Sequence, residues 1–426
     1  MKKKNKGILK FLKSLGPGFV TGTADNDPSG IATCSQIGAK FGYGLLWTSL
    51  YTLPMMIAVQ ETCARIGTCK GKGLTHTISH FYSRKIAAIM VLLLLIANII
   101  NIGADIGSMA AATQLLIPLN FTVLVCLFVF VMIAAQIYIG YKKYAALLKW
   151  ICLSMFAYPL TVIIINAPFS EILPATLIPH MQFDYNFLFL VTGMFGTTIS
   201  PYLFFWQASQ ETEEDRAHHR IKKSGDVCIK RSDIKNMQTD NLIGMVMSQI
   251  TSWAIIVVAG TVLHAHHITD VKTAADAAKM LEPLVKNYHH AGLMAKIIFS
   301  SGIIGLGLVA VPVLSGSCAY AVCELFQWRA GINLKFKPGK KFYSIIILVT
   351  VLGAVLNYIG IDPIKALLYA AVVNGILAIP MIFLITLIGR NEKILGEYKS
   401  SRVSQFFMWV TFICMLLSAL GMMFAH

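Results

Sequence analysis

Eleven apolar runs, each long enough to cross a bilayer as a helix, leave this chain few architectures. They lie at about 17–43, 45–66, 86–116, 121–140, 145–166, 187–209, 240–263, 293–325, 343–360, 364–389 and 405–425. A helix crosses a bilayer with ~20 apolar residues, so the pattern predicts an all-α polytopic membrane protein. Only 13% of the 426 residues are charged, where soluble domains carry about 25%, and the mean hydropathy is +0.67. The basic start, "MKKKNKGILKFLKSLGPG", runs into the first span with no small-residue cleavage site. No cleavable signal peptide is therefore expected.

The net charge of +16 reads as topology, and nucleic-acid binding is not expected. Of the 36 Lys and Arg residues, all but Lys40, Lys272, Lys279, Lys286, Lys296 and Lys365 lie in the N-terminus and the alternate connections that share its side. This positive-inside pattern predicts a cytoplasmic N-terminus and an outer C-terminus, as in a bacterial inner membrane. The nine cysteines show no C-x-x-C pair or zinc spacing and read as reduced and structural. His264, His266, His267, His289 and His290 flank one outer connection, as a metal-capture surface or simply as solvated loop. The run "QETEEDRAHHRIKKSGDVCIKRSD" reads as a solvated inner loop.

The first span contains "TADNDPSGIAT", Thr23 to Thr33. A charge at mid-bilayer costs a few kcal/mol even on lenient scales, and it persists beside a polar cavity or a partner. Asp25 and Asp27 lie near the centre of the span. Pro28 removes a backbone donor and Gly30 frees the chain from helical geometry. The expectation is a helix in two halves whose unwound middle offers carbonyl oxygens and a carboxylate.

The sixth span repeats the device, with Gly193, Gly196, Thr197, Thr198, Ser200 and Pro201 at its middle. "VTG" at Val20–Gly22 recurs at Val191–Gly193. Interrupted helices at positions one and six are where a five-plus-five inverted repeat places them, and such pairs point to a transport site. Half-helix C-termini carry partial negative charge and suit a cation. The chain thus reads as one transmembrane domain, with repeats at about 17–166 and 187–389 and an extra span at 405–425, working by alternating access.

"GPGFVTGTADNDPSGIAT…GAKFGYGLLW", "QETCARIGTCKGKGL" and "LIGRNEKILGEY" together resemble the natural resistance-associated macrophage protein family of divalent-metal transporters, over essentially the whole chain. The resemblance implies a LeuT-type fold and makes Asp27 the metal-binding aspartate. Three departures stand out. The family's M-P-H in the sixth span is here Ser200-Pro201-Tyr202. D-P-G-N is Asp27-Pro28-Ser29-Gly30, so that Gly30 offers only backbone oxygen. The third-span D-x-x-E is Asp105-Ile106-Gly107-Ser108. Methionine selects soft metals, whereas serine offers a hard oxygen. These changes resemble the family's magnesium-transporting branch, in which proton coupling is weak or absent. A proton-coupled manganese or iron transporter with a variant site is the alternative.

The expected ion ligands are Asp27, Gly30, Thr197, Ser200 and, in the tenth span, Asn374. Few protein oxygens and no sulfur suit magnesium, which keeps several waters. Asp25, Asp105, Tyr202 and Gln207 are read as lining the vestibule or the ion or proton route. Asn98 and Asn101, on one face with Asp105, either line a water-filled route or knit helices together. No enzymatic step and no cofactor is expected, the divalent ion being cargo and the lipid bilayer the surrounding partner. Two rival classes are a sodium-coupled amino-acid symporter, whose anionic substrate Asp25 and Asp27 would repel, and an intramembrane metal hydrolase, for which no span offers a well-placed histidine.

Overall fold

The computed structural model describes residues 16–138, 157–165, 167–221, 227–286 and 290–425. Among these residues the chain is helical, and its only β pairing is one bridge between Ile221 and Val227. Among the described residues, eight helices are long and apolar enough to cross a membrane. The first span is shorter in each piece because it is broken, into Pro17–Asp25 and Pro28–Phe41, and the second runs Trp47–Lys70. Of the fifth span, 145–156 and 166 lie outside the described residues, as do the lysines before residue 16, Lys142, Lys143, Lys149, Cys152 and His289. The described cysteines form no disulfide.

Both breaks follow the same local logic. In each, a proline opens the second half-helix, where its missing N–H is one of the orphans anyway. Asn26 leaves the first helix at φ −82°, ψ 63°, and Ile199 leaves the sixth-span helix Tyr185–Thr198 at φ −124°, ψ 58°. The next residues, Asp27 and Ser200, are extended at ψ 173° and 136° and cap Pro28–Phe41 and Pro201–Ala217.

The sixth span is central, with 94% of its most apolar stretch buried. The seventh (Arg231–Val262) packs along both halves of the first, while the second packs on Pro201–Ala217. The third (Arg84–Gln114), eighth (Ala291–Leu325) and ninth (Lys340–Val355) pack together, and the tenth (Pro363–Arg390) lies against the sixth. Small residues set these approaches: a Cβ on Gly22 would overlap the backbone of Gly244, and one on Gly18 would lie 2.7 Å from the backbone of Asn241. Such contacts let helix backbones close on one another where lipid gives no hydrophobic drive. Leu92, Phe130, Ile163, Leu417 and Phe424 are exposed, an apolar surface that suits lipid contact.

Two parts differ from the sequence reading. The run from Gln210 to Asp233 is not simply a solvated loop: its first eight residues continue the sixth span, with Glu211 and Asp215 buried. An unforeseen helix, Leu74–Phe81, follows the second span, and the Glu324 carboxylate accepts the His76 amide at 3.2 Å near its start.

Candidate functional site

Asp27 is the anchor of the central break. Its Oδ1 accepts the Gly30 amide at 2.8 Å and the Ser29 hydroxyl at 2.6 Å, as an N-cap does. Its Oδ2 is buried without a hydrogen-bond partner. Asp25 is the last helical residue before the break; its Oδ2 accepts from Ser248 of the seventh span, and its Oδ1 has no partner. One turn beyond Ser248, Ser252 donates to Asn26 Oδ1 at 3.4 Å. Asp105, from the third span, has neither oxygen partnered and acts electrostatically on Asp27. The three carboxylates are 3%, 1% and 0% exposed.

The sixth span meets this cluster through Tyr202. Its hydroxyl donates to the Ala24 carbonyl at 2.9 Å, tying the two breaks together, and it feels the charges of Asp27, Asp25 and Asp105. Ser200 donates to the carbonyls of Gly196 at 2.7 Å and Thr197 at 2.9 Å, and Thr197 donates to Met194 O at 3.1 Å. A hydroxyl that donates to its own helix keeps lone pairs for a cation. The tenth span closes in here, since a Cβ on Gly196 would overlap the Ala371 carbonyl. Asn374, beside Gly375, is fully buried with neither amide atom partnered.

The structure therefore brings Asp25, Asp27, Asp105 and Tyr202 within one electrostatic neighbourhood. Gly30 supplies its amide to Asp27, and a Cβ there would make ordinary contacts with Asp27 Oδ1 at 3.7 Å and the Asp25 carbonyl oxygen at 3.8 Å. Gln207 lies seven residues beyond Ser200, outside that neighbourhood. It meets the Thr21 hydroxyl and donates to Glu211 at 2.8 Å, and Thr68 reaches Glu211 at 3.4 Å. Asn98 is a packing residue on one side, donating to Leu314 O and Ser317 Oγ, while both amide atoms of Asn101 are unpartnered. Ser248, Ser252 and Glu211 were not singled out from sequence. The serine pair, one turn apart in an apolar span, was the available signal, but spacing does not name the helix it faces.

Arg65 is the only basic side chain buried among the described residues, and it pairs with Glu61. No group of three His, Cys, Asp or Glu side chains placed to hold a metal occurs among the described residues. An ion here would meet isolated carboxylates, hydroxyls, amides and carbonyls. Two sulfurs border the region: Cys34 Sγ and Met194 Sδ lie 4.0 Å apart, and Cys34 feels the charges of Asp25 and Asp27.

Helices broken at positions one and six around buried carboxylates define an all-α membrane protein of the LeuT-type five-plus-five class. The crystal structure of MhsT in complex with L-phenylalanine superposes with a TM-score of 0.61 at 12% identity, covering 95% of this chain and 98% of that one. A crystal structure of the Eremococcus coleocola manganese transporter matches with a TM-score of 0.72 at 18% identity, over 96% of this chain and 85% of that one. The model of the natural resistance-associated macrophage protein-like family matches residues 18–425, and the chain belongs to that family. A protein of Caldanaerobacter subterraneus called divalent metal cation transporter MntH is 24% identical over 400 residues, 92% of this chain and 88% of its own. One of the same name from Clostridium acetobutylicum is 26% identical over 408 residues, 91% and 84%.

Proposed function

We propose that this chain carries divalent metal cations across the membrane by alternating access, with Asp27 as the principal counter-charge and magnesium as the ion its donors suit. The observation that carries the reading is the half-satisfied Asp27 carboxylate. Its Oδ1 is fixed by the cap, and its Oδ2 is buried and free beside further acids that have no buried cationic partner among the described residues. The effective penalty for burying an ion is several kcal/mol, and a bound cation offsets it. Family membership and the names of the relatives support a divalent metal as that cation. The ion is cargo, and the reading includes no enzymatic step and no resident cofactor. The basic connections favour a cytoplasmic N-terminus.

Magnesium is favoured over softer ions because Ser200 and Gly30 replace sulfur and amide donors with oxygen and space for retained water. Transport without stoichiometric proton entry fits the same site: the Tyr202 hydroxyl donates to the Ala24 carbonyl and lies beside Asp27, and Ser108 donates to the Asp105 carbonyl at 2.8 Å. A second reading, a manganese transporter, draws on the Cys34–Met194 sulfur pair and on the likeness to the Eremococcus coleocola manganese transporter. Uptake into proteoliposomes separates these readings. Magnesium flux exceeding manganese flux is expected; the reverse order favours the second reading, and phenylalanine uptake without metal uptake contradicts both.

A further inference from the structure

We propose that Asp25 is a second carboxylate of the ion site, and that the pair Asp25 and Asp27 selects divalent over monovalent cations. The proposal rests on the divalent-cation reading above and deepens it. On a continuous helix two residues apart in sequence point about 200° away from each other. The turn at Asn26 removes that constraint. Asp25 ends its half-helix, where the helix dipole already places negative charge. An acid at that point is opposed by the backbone as well as by its neighbour. Arg65, the buried basic residue, lies in the second span and is paired elsewhere.

Ser248 accounts for half of the Asp25 carboxylate and leaves the other half, Oδ1, buried and unpartnered. The arrangement matches that of Asp27, where Ser29 and Gly30 hold one oxygen and the other is free. Two carboxylates, each orientated through one oxygen and open through the other, are built to share an ion between them. A site with two negative charges gains more from a second charge on the cation than a site with one, because each Coulomb attraction scales with the ion's charge.

The test compares two variants that break different parts of the arrangement. Asp25→Asn removes the charge and keeps an oxygen for Ser248; Ser248→Ala removes the hydrogen bond and keeps the charge. Binding of Mg²⁺ and Mn²⁺ to the purified full chain is titrated by calorimetry in the presence of increasing K⁺ or Na⁺. Asp25→Asn should weaken divalent binding about tenfold and make it more sensitive to monovalent competition, whereas Ser248→Ala, which keeps both charges, should weaken it less and leave the monovalent sensitivity unchanged. If Asp25→Asn does not fold, Asp25→Ser carries the same expectation. Divalent binding by Asp25→Asn equal to wild type overturns the proposal. So do equal losses in both variants, which would make Asp25 only a tie between spans one and seven. Absence of divalent binding by the wild-type protein would instead defeat the underlying functional reading.

Discussion

Asp240 holds the start of the first span: its Oδ2 accepts the Gly18 amide at 2.7 Å, while Oδ1 accepts the Gly16 amide at 2.9 Å. A carboxylate from the seventh span thus satisfies orphan donors at a half-helix N-terminus, where the dipole also favours it. Glycine at 18 lets the two backbones approach, and glycine at 16 leaves room for the Asp240 carboxylate. Loosening this short half-helix is expected to open the buried carboxylates to solution. Asp240→Ala should lower thermal stability in detergent by ~1 kcal/mol, as the loss of a cap does, and should make a cysteine placed at Asn26 more reactive to a water-soluble thiol reagent. Unchanged reactivity would separate Asp240 from gating.

Gly196 is where the sixth span meets the tenth, with the Ala371 carbonyl in the space a Cβ would fill. Overpacking typically costs 1–3 kcal/mol, and here the obstacle is backbone. Gly196→Val should reduce the yield of folded protein and lower its melting temperature, measured by a fluorescence-detected thermal shift. A variant of wild-type stability would mean that the spans separate freely at this point.

On the proposed reading, selectivity turns on Ser200. Replacing it with methionine adds a soft ligand and fills room that magnesium needs for its waters. Ser200→Met should lose magnesium transport and gain cadmium or manganese binding by about tenfold, the equivalent of 1.4 kcal/mol. Cadmium–magnesium competition by calorimetry and flux checks this. Unchanged selectivity would place Ser200 away from the ion.

Proton movement provides an independent check. With Tyr202 and Ser108 at the positions of the family's histidine and glutamate, metal uptake should cause little internal acidification. A pH dye inside proteoliposomes reads it directly. Acidification matching the metal flux would contradict the expectation and make Asp105, buried with both oxygens unpartnered, the principal proton carrier.

The two breaks were legible because proline, glycine and charge are locally expensive in a membrane helix. The first was expected across Asp25–Gly30 and falls at Asn26–Asp27; the second was expected about Gly193–Pro201 and falls at Ile199–Ser200. What stayed hidden depends on partners distant in sequence. Gly22 against Gly244, Ser248 on Asp25 and Asp240 on Gly18 each join the first span to the seventh, and no local pattern names the other member. Glu211 and Asp215 were hidden differently: a charged run looks solvated, but the helix carries those two residues inward and leaves Arg216 half-exposed.

If Asp27 supplies the charge that brings a divalent ion into the membrane, magnesium and manganese uptake into proteoliposomes containing wild-type protein or Asp27→Asn will show it. Asparagine retains an oxygen for the Gly30 cap and removes an uncompensated buried charge, so folding and thermal stability should stay near wild type. Divalent uptake is expected for the wild-type protein and none above empty vesicles for Asp27→Asn. Wild-type rates in the variant would show that the ion crosses without this carboxylate.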